Sequence, residues 1–248
     1  MLAWLAPLLA NFAPPAPERE PAIRVHEAWG QVTDRSSYAA QAARERHKGD
    51  RRHRHGRGPA PMSNRLMGRK IAILATDGVE RIELTEPRGA LEQAGATVEL
   101  LAPAAGSILS MDHLERKGPL SVDRSVSEAD PRDFDGLVLP GGVVNADKLR
   151  ADPGAVHFVH AFLESGGPIG VICHGAWILI ETGLLRGRTL TSYPTMRTDL
   201  ENAGARWVDE EVREDDGLVS SRRPRDLPAF TARIIEEFAK DRRARRAD

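Results

Sequence analysis

The sequence holds one cysteine in 248 residues, which excludes an intramolecular disulfide, so nothing points to an oxidising compartment. No apolar run approaches the roughly 20 residues that a membrane-spanning helix needs. Residues 2–10 (LAWLAPLLA) lack the positive charge that opens a signal peptide and are interrupted by Pro7, so secretion is not expected and the chain reads as cytoplasmic. A dinucleotide fingerprint is also missing: only Gly141 and Gly142 follow the relevant strand. The basic stretch at 44–57 has no interleaved aromatic residues to stack bases, so it reads as a solvated linker, and nucleic-acid binding is not expected. His53 and His55 alone are too little for a metal site. No metal and no organic cofactor is implied.

Charge divides the chain. Residues 1–62 carry ten Lys/Arg against six Asp/Glu, whereas the remainder carries 25 against 30, so a formal net charge of −1 conceals a basic tail and an acidic body. Between residues 14 and 61, Pro, Ala, Arg and His dominate and no apolar periodicity lasts long enough to bury a face. We therefore divide the chain into a basic, disordered extension at 1–62 and a folded domain at 63–248. Met62 and Met67 both precede the first strand as alternative starts.

In the body, short apolar runs alternate with helical patterns. Residues 70–75 (KIAILA), 97–101 and 135–140 suit strands buried on both faces, as in a parallel sheet. A helix is expected over about 80–94, containing Pro87 and stopped by Gly95. Short strands are expected at 107–110 and 120–125, and a brief helical turn near 128–133. Residues 143–146 read as loop. Asp152-Pro153 opens a helix with a cap residue and a first-position proline, its apolar stripe taken as Val156, Val159 and Leu163. A strand leading to Cys173, a wholly apolar helix at 176–180, a strand at 189–192, a helix at 196–203 and strands near 205–208 and 218–221 follow. A last helix from about Asp226 presents Phe230, Ile234 and Phe238 on one face. The alternation predicts an α/β fold, a mostly parallel sheet sandwiched by helices, with its site at the carboxyl ends of the strands.

Three of those strand ends hold reactive residue types. Glu80 and Glu83 follow the first. Gly141 and Gly142, with Asn145 and Asp147, follow the third. Cys173 and His174 stand where a strand turns sharply into a helix, near amides whose partial positive charge favours thiolate. A lone cysteine is ordinarily a buried structural residue, and acids at a helix start suit its dipole in any case; the coincidence at three strand ends favours chemistry.

Those residues, with K-I-A-I-L at 70–74, F-D-G-L-V-L-P-G-G at 134–142, V-I-C-H-G at 171–175, N-A-G-A at 202–205 and D-L-P-A-F at 226–230, resemble the PfpI/ThiJ family of the class I glutamine-amidotransferase-like superfamily. The motifs occur in order from Lys70 to Phe238, and residues 1–62 have no counterpart. The resemblance implies a flavodoxin-like fold and a nucleophile at Cys173. It implies a carboxyl at Glu83 that donates to the thiolate, keeping it largely ionised at neutral pH, and an oxyanion hole from the amides of Gly142 and His174. It further implies an acid from a neighbouring subunit completing His174, with Asp147 the nearest candidate by position. Glu80 and Gly141 join Gly142 as substrate or oxyanion positions. Ala176 stands where relatives usually have Pro, a change a helix start tolerates. Adjacent residues at a sharp turn need not point the same way, so Glu83 is taken before His174 as the partner of Cys173.

The activity so implied is that of a cofactor-free, cysteine-dependent carbonyl-stress enzyme, of glyoxalase III or deglycase type, acting on small aldehydes or glycated adducts. Alternatives are a PfpI-type intracellular peptidase or amidase, and a non-catalytic redox sensor through Cys173. A homodimer or larger homo-oligomer is expected, without membrane association.

Overall fold

The computed structural model describes residues 64–240; the basic extension at 1–62 and the Arg-rich end at 242–246 lie outside them. The central sheet has seven strands, numbered here by position in the chain: β1 (Lys70–Leu74), β3 (Thr97–Ala102), β6 (Arg124–Ser125), β7 (Gly136–Leu139), β8 (Ile169–Ile172), β11 (Val212–Asp215) and β12 (Leu218–Ser221). Their spatial order is β11-β12-β8-β7-β1-β3-β6. Every neighbouring pair is parallel except β11 with β12. The fold is therefore the expected mostly parallel α/β sandwich.

Strand burial follows from this arrangement. β1, β7, β8 and β12 are buried almost end to end because helices cover both faces. Alternate residues serve opposite cores: Ile71, Ile73 and Val138 face one, Ala72, Leu74, Leu137 and Leu139 the other. The first core is closed by α1 (Arg81–Gln93) and α6 (Leu227–Ala239). Phe230, Ile234 and Phe238 are buried there as the spacing anticipates, each contributing about 2 kcal/mol of apolar burial. The second is closed by α2 (Val143–Arg150), α3 (Pro153–Glu164), α4 (Trp177–Glu181) and α5 (Arg197–Asn202).

Several expectations are corrected. Residues 143–146 are not loop: α2 starts directly after Gly142, with Asn145, Ala146 and Leu149 turned inward. In α3 the capping by Asp152, which accepts from the Ala155 amide at 2.7 Å, is as expected. Its buried stripe, however, is Ala155, Phe158, Val159 and Phe162, because the two phenylalanines offer more apolar area than Val156 and Leu163. The chain at 107–125 forms a hairpin of β4 (Ser107–Asp112) and β5 (Glu115–Ser121), joined by β2 (Val79–Glu80) into a three-stranded sheet. The strands expected at 189–192 and 205–208 shrink to β9 (Thr189–Leu190) and β10 (Arg206–Trp207), which pair with each other. Residues 173–176 are a 3-10 turn preceding a short α4, whose Trp177 and Ile180 stay partly exposed. The edge strand β11 had no sequence signal.

Pro87 lies inside α1. Having no N–H, it leaves the carbonyl four residues earlier, that of Glu83, without its helical partner.

Candidate active site

β1, β7 and β8 are adjacent and parallel, so their carboxyl ends place the first turn of α1, which carries Glu83, beside the turns carrying Gly141 and Cys173. At the end of β8 the backbone turns so tightly that Cys173 adopts a φ of 60°, a left-handed conformation costing a non-glycine residue of order 1–2 kcal/mol. The strain is held by the surrounding core. The cysteine is 7% exposed, and its carbonyl accepts from the Tyr193 amide at 3.2 Å. The turn aims the sulfur back toward the loop after β7, where the Gly142 amide and the cysteine's neighbouring His174 amide favour its ionised form.

Glu83 is completely buried. Its Oε2 accepts from the Gly141 amide at 2.8 Å. Its Oε1 has no conventional hydrogen-bond partner among the described residues, and the carboxyl is close enough to the Cys173 sulfur for each to bias the other's ionisation. Gly141 fits between them because it lacks a side chain: a Cβ there would stand 2.5 Å from Glu83 Oε2 and 2.7 Å from Cys173 Cβ. Gly142 has a φ of 92°, and a Cβ would come within 2.3 Å of the Gly78 carbonyl oxygen. Asn145 fixes this loop from α2. Its Oδ1 accepts from the Thr76 amide at 2.7 Å, and its Nδ2 donates to the carbonyls of Pro140 and Gly141 at 3.0 Å each.

The electrostatics differ from the expectation of a largely ionised resting thiol. Burial, seconded by the charge of Glu80, raises Glu83 from 4.5 to about 8. Burial also drives the Cys173 thiol well above its ordinary value, the charge of Glu83 adds to this, and the His174 and Gly142 amides only partly offset it. Cysteine and carboxyl share one low-dielectric pocket and titrate as a pair, in which at most one charge is tolerated. Near neutral pH the resting pair keeps both protons. Removing one leaves a single anion that can sit on sulfur, facing two amides and a neutral carboxyl.

His174 does point at the sulfur after all, with Nδ1 3.3 Å from Sγ. Its ring is stacked on Tyr193 at 4.7 Å between centroids and tilted against Trp177 at 5.4 Å. That cover lowers its pKa to about 4, so the imidazole is neutral over the physiological range. The sequence does not announce Tyr193, Trp177 or the bracing role of Asn145: the aromatics carry no motif, and residues 143–146 read as loop. Asp147 is exposed on α2, and among the described residues it forms no hydrogen bond or ion pair with Cys173 or His174. Glu80 is partly buried at the start of α1, and its amide donates to the Gly141 carbonyl at 3.2 Å. Its carboxylate turns away to the β4–β5 hairpin, accepting from the His113 amide at 3.0 Å. There Glu80, Asp112 and His113 present three ligand atoms within 4.8 Å of one another. No helix among the described residues is long and apolar enough to cross a membrane.

The family model described as the DJ-1/PfpI family matches residues 69–237. A protein of Bacillus subtilis (strain 168) named "Putative cysteine protease YraA" is 43% identical over 164 residues, 66% of this chain and 95% of that protein. "Protein/nucleic acid deglycase 2" of Escherichia coli (strain K12) is 43% identical over 172 residues, 68% of this chain and 97% of that protein. Among solved structures, Drosophila melanogaster DJ-1beta aligns with a TM-score of 0.63 at 27% identity, covering 71% of this chain and 92% of that one.

Proposed function

The chain belongs to the DJ-1/PfpI family, with relatives that carry protease and deglycase names, and from this we propose that it is a cysteine-dependent carbonyl-stress enzyme of glyoxalase III or deglycase type. The observation that carries the reading is the burial of Glu83 against Cys173, with the Gly142 and His174 amides favouring the anionic form of the sulfur. A carboxyl with a pKa of about 8 is ionised in roughly one molecule in ten at pH 7. In that fraction the thiol proton passes to Glu83, leaving a thiolate beside a neutral acid. The thiolate adds to the aldehyde carbon of the substrate and forms the C–S bond. The carbonyl pair moves onto oxygen, which the Gly142 and His174 amides hold until Glu83 returns the proton.

For a 2-oxoaldehyde such as methylglyoxal, the proton on the sulfur-bearing carbon then moves to the neighbouring carbonyl carbon through an enediol, with His174 or Glu83 as carrier. The resulting thioester is hydrolysed by water, releasing lactate and regenerating the thiol. No external oxidant or organic cofactor enters the balance. In the same reading the enzyme acts in the cytoplasm as a homo-oligomer, and Asp147 of a second copy completes His174.

The 3.3 Å approach of His174 to the sulfur also supports a peptidase or amidase with a Cys-His pair. Product analysis of the full chain with methylglyoxal, a glycated peptide and a fluorogenic peptide in parallel separates these readings. Lactate or deglycated peptide, absent in Cys173→Ser, supports the proposal. Cleavage of the peptide bond alone assigns the peptidase. Turnover of none, with fast peroxide oxidation of Cys173, assigns the redox sensor.

A further inference from the structure

The cluster at the tip of the β4–β5 hairpin is not used by the chemistry above. Glu80 comes from the end of β2, while Asp112 ends β4 and His113 opens the turn into β5, and the pairing of β2 with β4 brings them together. His113 Nδ1 lies 3.3 Å from Asp112 Oδ1 and 3.8 Å from Glu80 Oε1. A Zn²⁺ held tetrahedrally by nitrogen and oxygen at about 2.0–2.1 Å has ligand atoms about 3.3 Å apart along each edge of its polyhedron. Two of the three edges are thus already near those of a coordination shell, and the third, between Glu80 and Asp112, is within 4.8 Å. The three side chains hold one imidazole and two carboxylates with solvent on the fourth side, since His113 and Asp112 are the more exposed members and Glu80 forms the floor.

We propose that Glu80, Asp112 and His113 form a site for a single divalent transition-metal ion of the zinc class, at the hairpin tip beside the Cys173 pocket. Donor type selects the ion: an imidazole with two carboxylates suits Zn²⁺, Co²⁺ or Ni²⁺, whereas Mg²⁺ and Ca²⁺ take all-oxygen shells. The two carboxylates provide the negative charge, and the imidazole provides the borderline-soft ligand. Lys117 Nζ, 3.6 Å from Asp112 Oδ2 and 3.2 Å from Glu115 Oε2, is the competing cation. It bears on the outer Asp112 oxygen, not on the one facing His113. Neither Asp112 nor His113 belongs to the thiol machinery, so the site can be removed without touching Cys173.

The test uses the full chain, with Co²⁺ followed by its visible absorption and Zn²⁺ by calorimetry. One equivalent per chain, an intense tetrahedral Co²⁺ spectrum, and at least tenfold weaker binding in both Asp112→Asn and His113→Asn are expected. Asn is chosen at 113 because the residue has a φ of 56°, which Asn adopts more readily than most side chains; circular dichroism checks that each variant is folded. Binding must also persist in Cys173→Ser. Loss in Cys173→Ser would place the metal on the thiol, undiminished binding in the hairpin variants would place it on other histidines, and absence of binding in the wild type would remove the site altogether. The readout is binding alone, so its failure is separable from failure of the proposed activity.

Discussion

Glu83→Gln tests the electrostatic core of the site directly. In the unfolded chain the carboxyl titrates near 4.5; folded, it holds its proton up to about 8. Between those values the native state binds one more proton than the unfolded state, so stability falls by about 1.4 kcal/mol for each pH unit of increase. The full span amounts to about 5 kcal/mol, of which about 3 kcal/mol has been lost by pH 7. The contribution is complete below pH 4.5 and gone once pH passes the folded value. Gln has the same shape, can still accept from the Gly141 amide through its oxygen, and carries no titration. Urea unfolding of both proteins at intervals from pH 5 to pH 8 should give a stability difference that grows steadily in favour of Glu83→Gln. The same variant, lacking a proton carrier, should lose roughly 100-fold or more in turnover. A stability difference that stays flat across the series, within about 0.5 kcal/mol, would refute the assignment of a buried, protonated Glu83.

Gly142→Ala meets the Gly78 carbonyl and requires a left-handed alanine, so it should lower stability by about 2–4 kcal/mol in chemical denaturation. Asn145→Ala removes two buried hydrogen bonds to the loop after β7 and a part-buried one to Thr76 and should cost about 2–4 kcal/mol, with Cys173 alkylation also altered as the Gly141 and Gly142 amides shift. Tyr193→Ala uncovers one face of His174, so NMR titration should show the imidazole pKa rising from about 4 toward the ordinary 6.5; an unchanged value would mean that Trp177 and the core alone keep the ring neutral.

Much of this site is legible in the sequence because it is local. Cys173 and Gly141 each sit just past a short apolar run, Glu83 lies at the start of the helix that follows another, and parallel neighbours bring strand ends together without further information. The Asp152 cap and the Phe230, Ile234, Phe238 stripe are equally local. What escaped is what depends on three-dimensional closure. The glycine pair hid the start of α2, since a helix that begins on a positive-φ glycine shows no capping side chain. The sense in which His174 points is fixed by the φ of Cys173, which no residue type announces. The meeting of Glu80 with His113 depends on where a hairpin folds back, 33 residues further along the chain. The ionisation of Cys173 differs from the expectation because burial and the charge of Glu83 outweigh the amides and the donating carboxyl on which that expectation rests.

Pro87 gives one last consequence. Ordinary helix engineering would replace it first, because Ala in a helix interior is favoured over Pro by about 3 kcal/mol. The peptide unit it leaves unbonded, however, belongs to Glu83. Restoring that bond would regularise the very turn from which the acid reaches the sulfur. Thermal robustness and reactivity are therefore competing demands on a single backbone carbonyl, and a stabilised Pro87→Ala protein with a slower enzyme is the trade to expect wherever this helix is optimised.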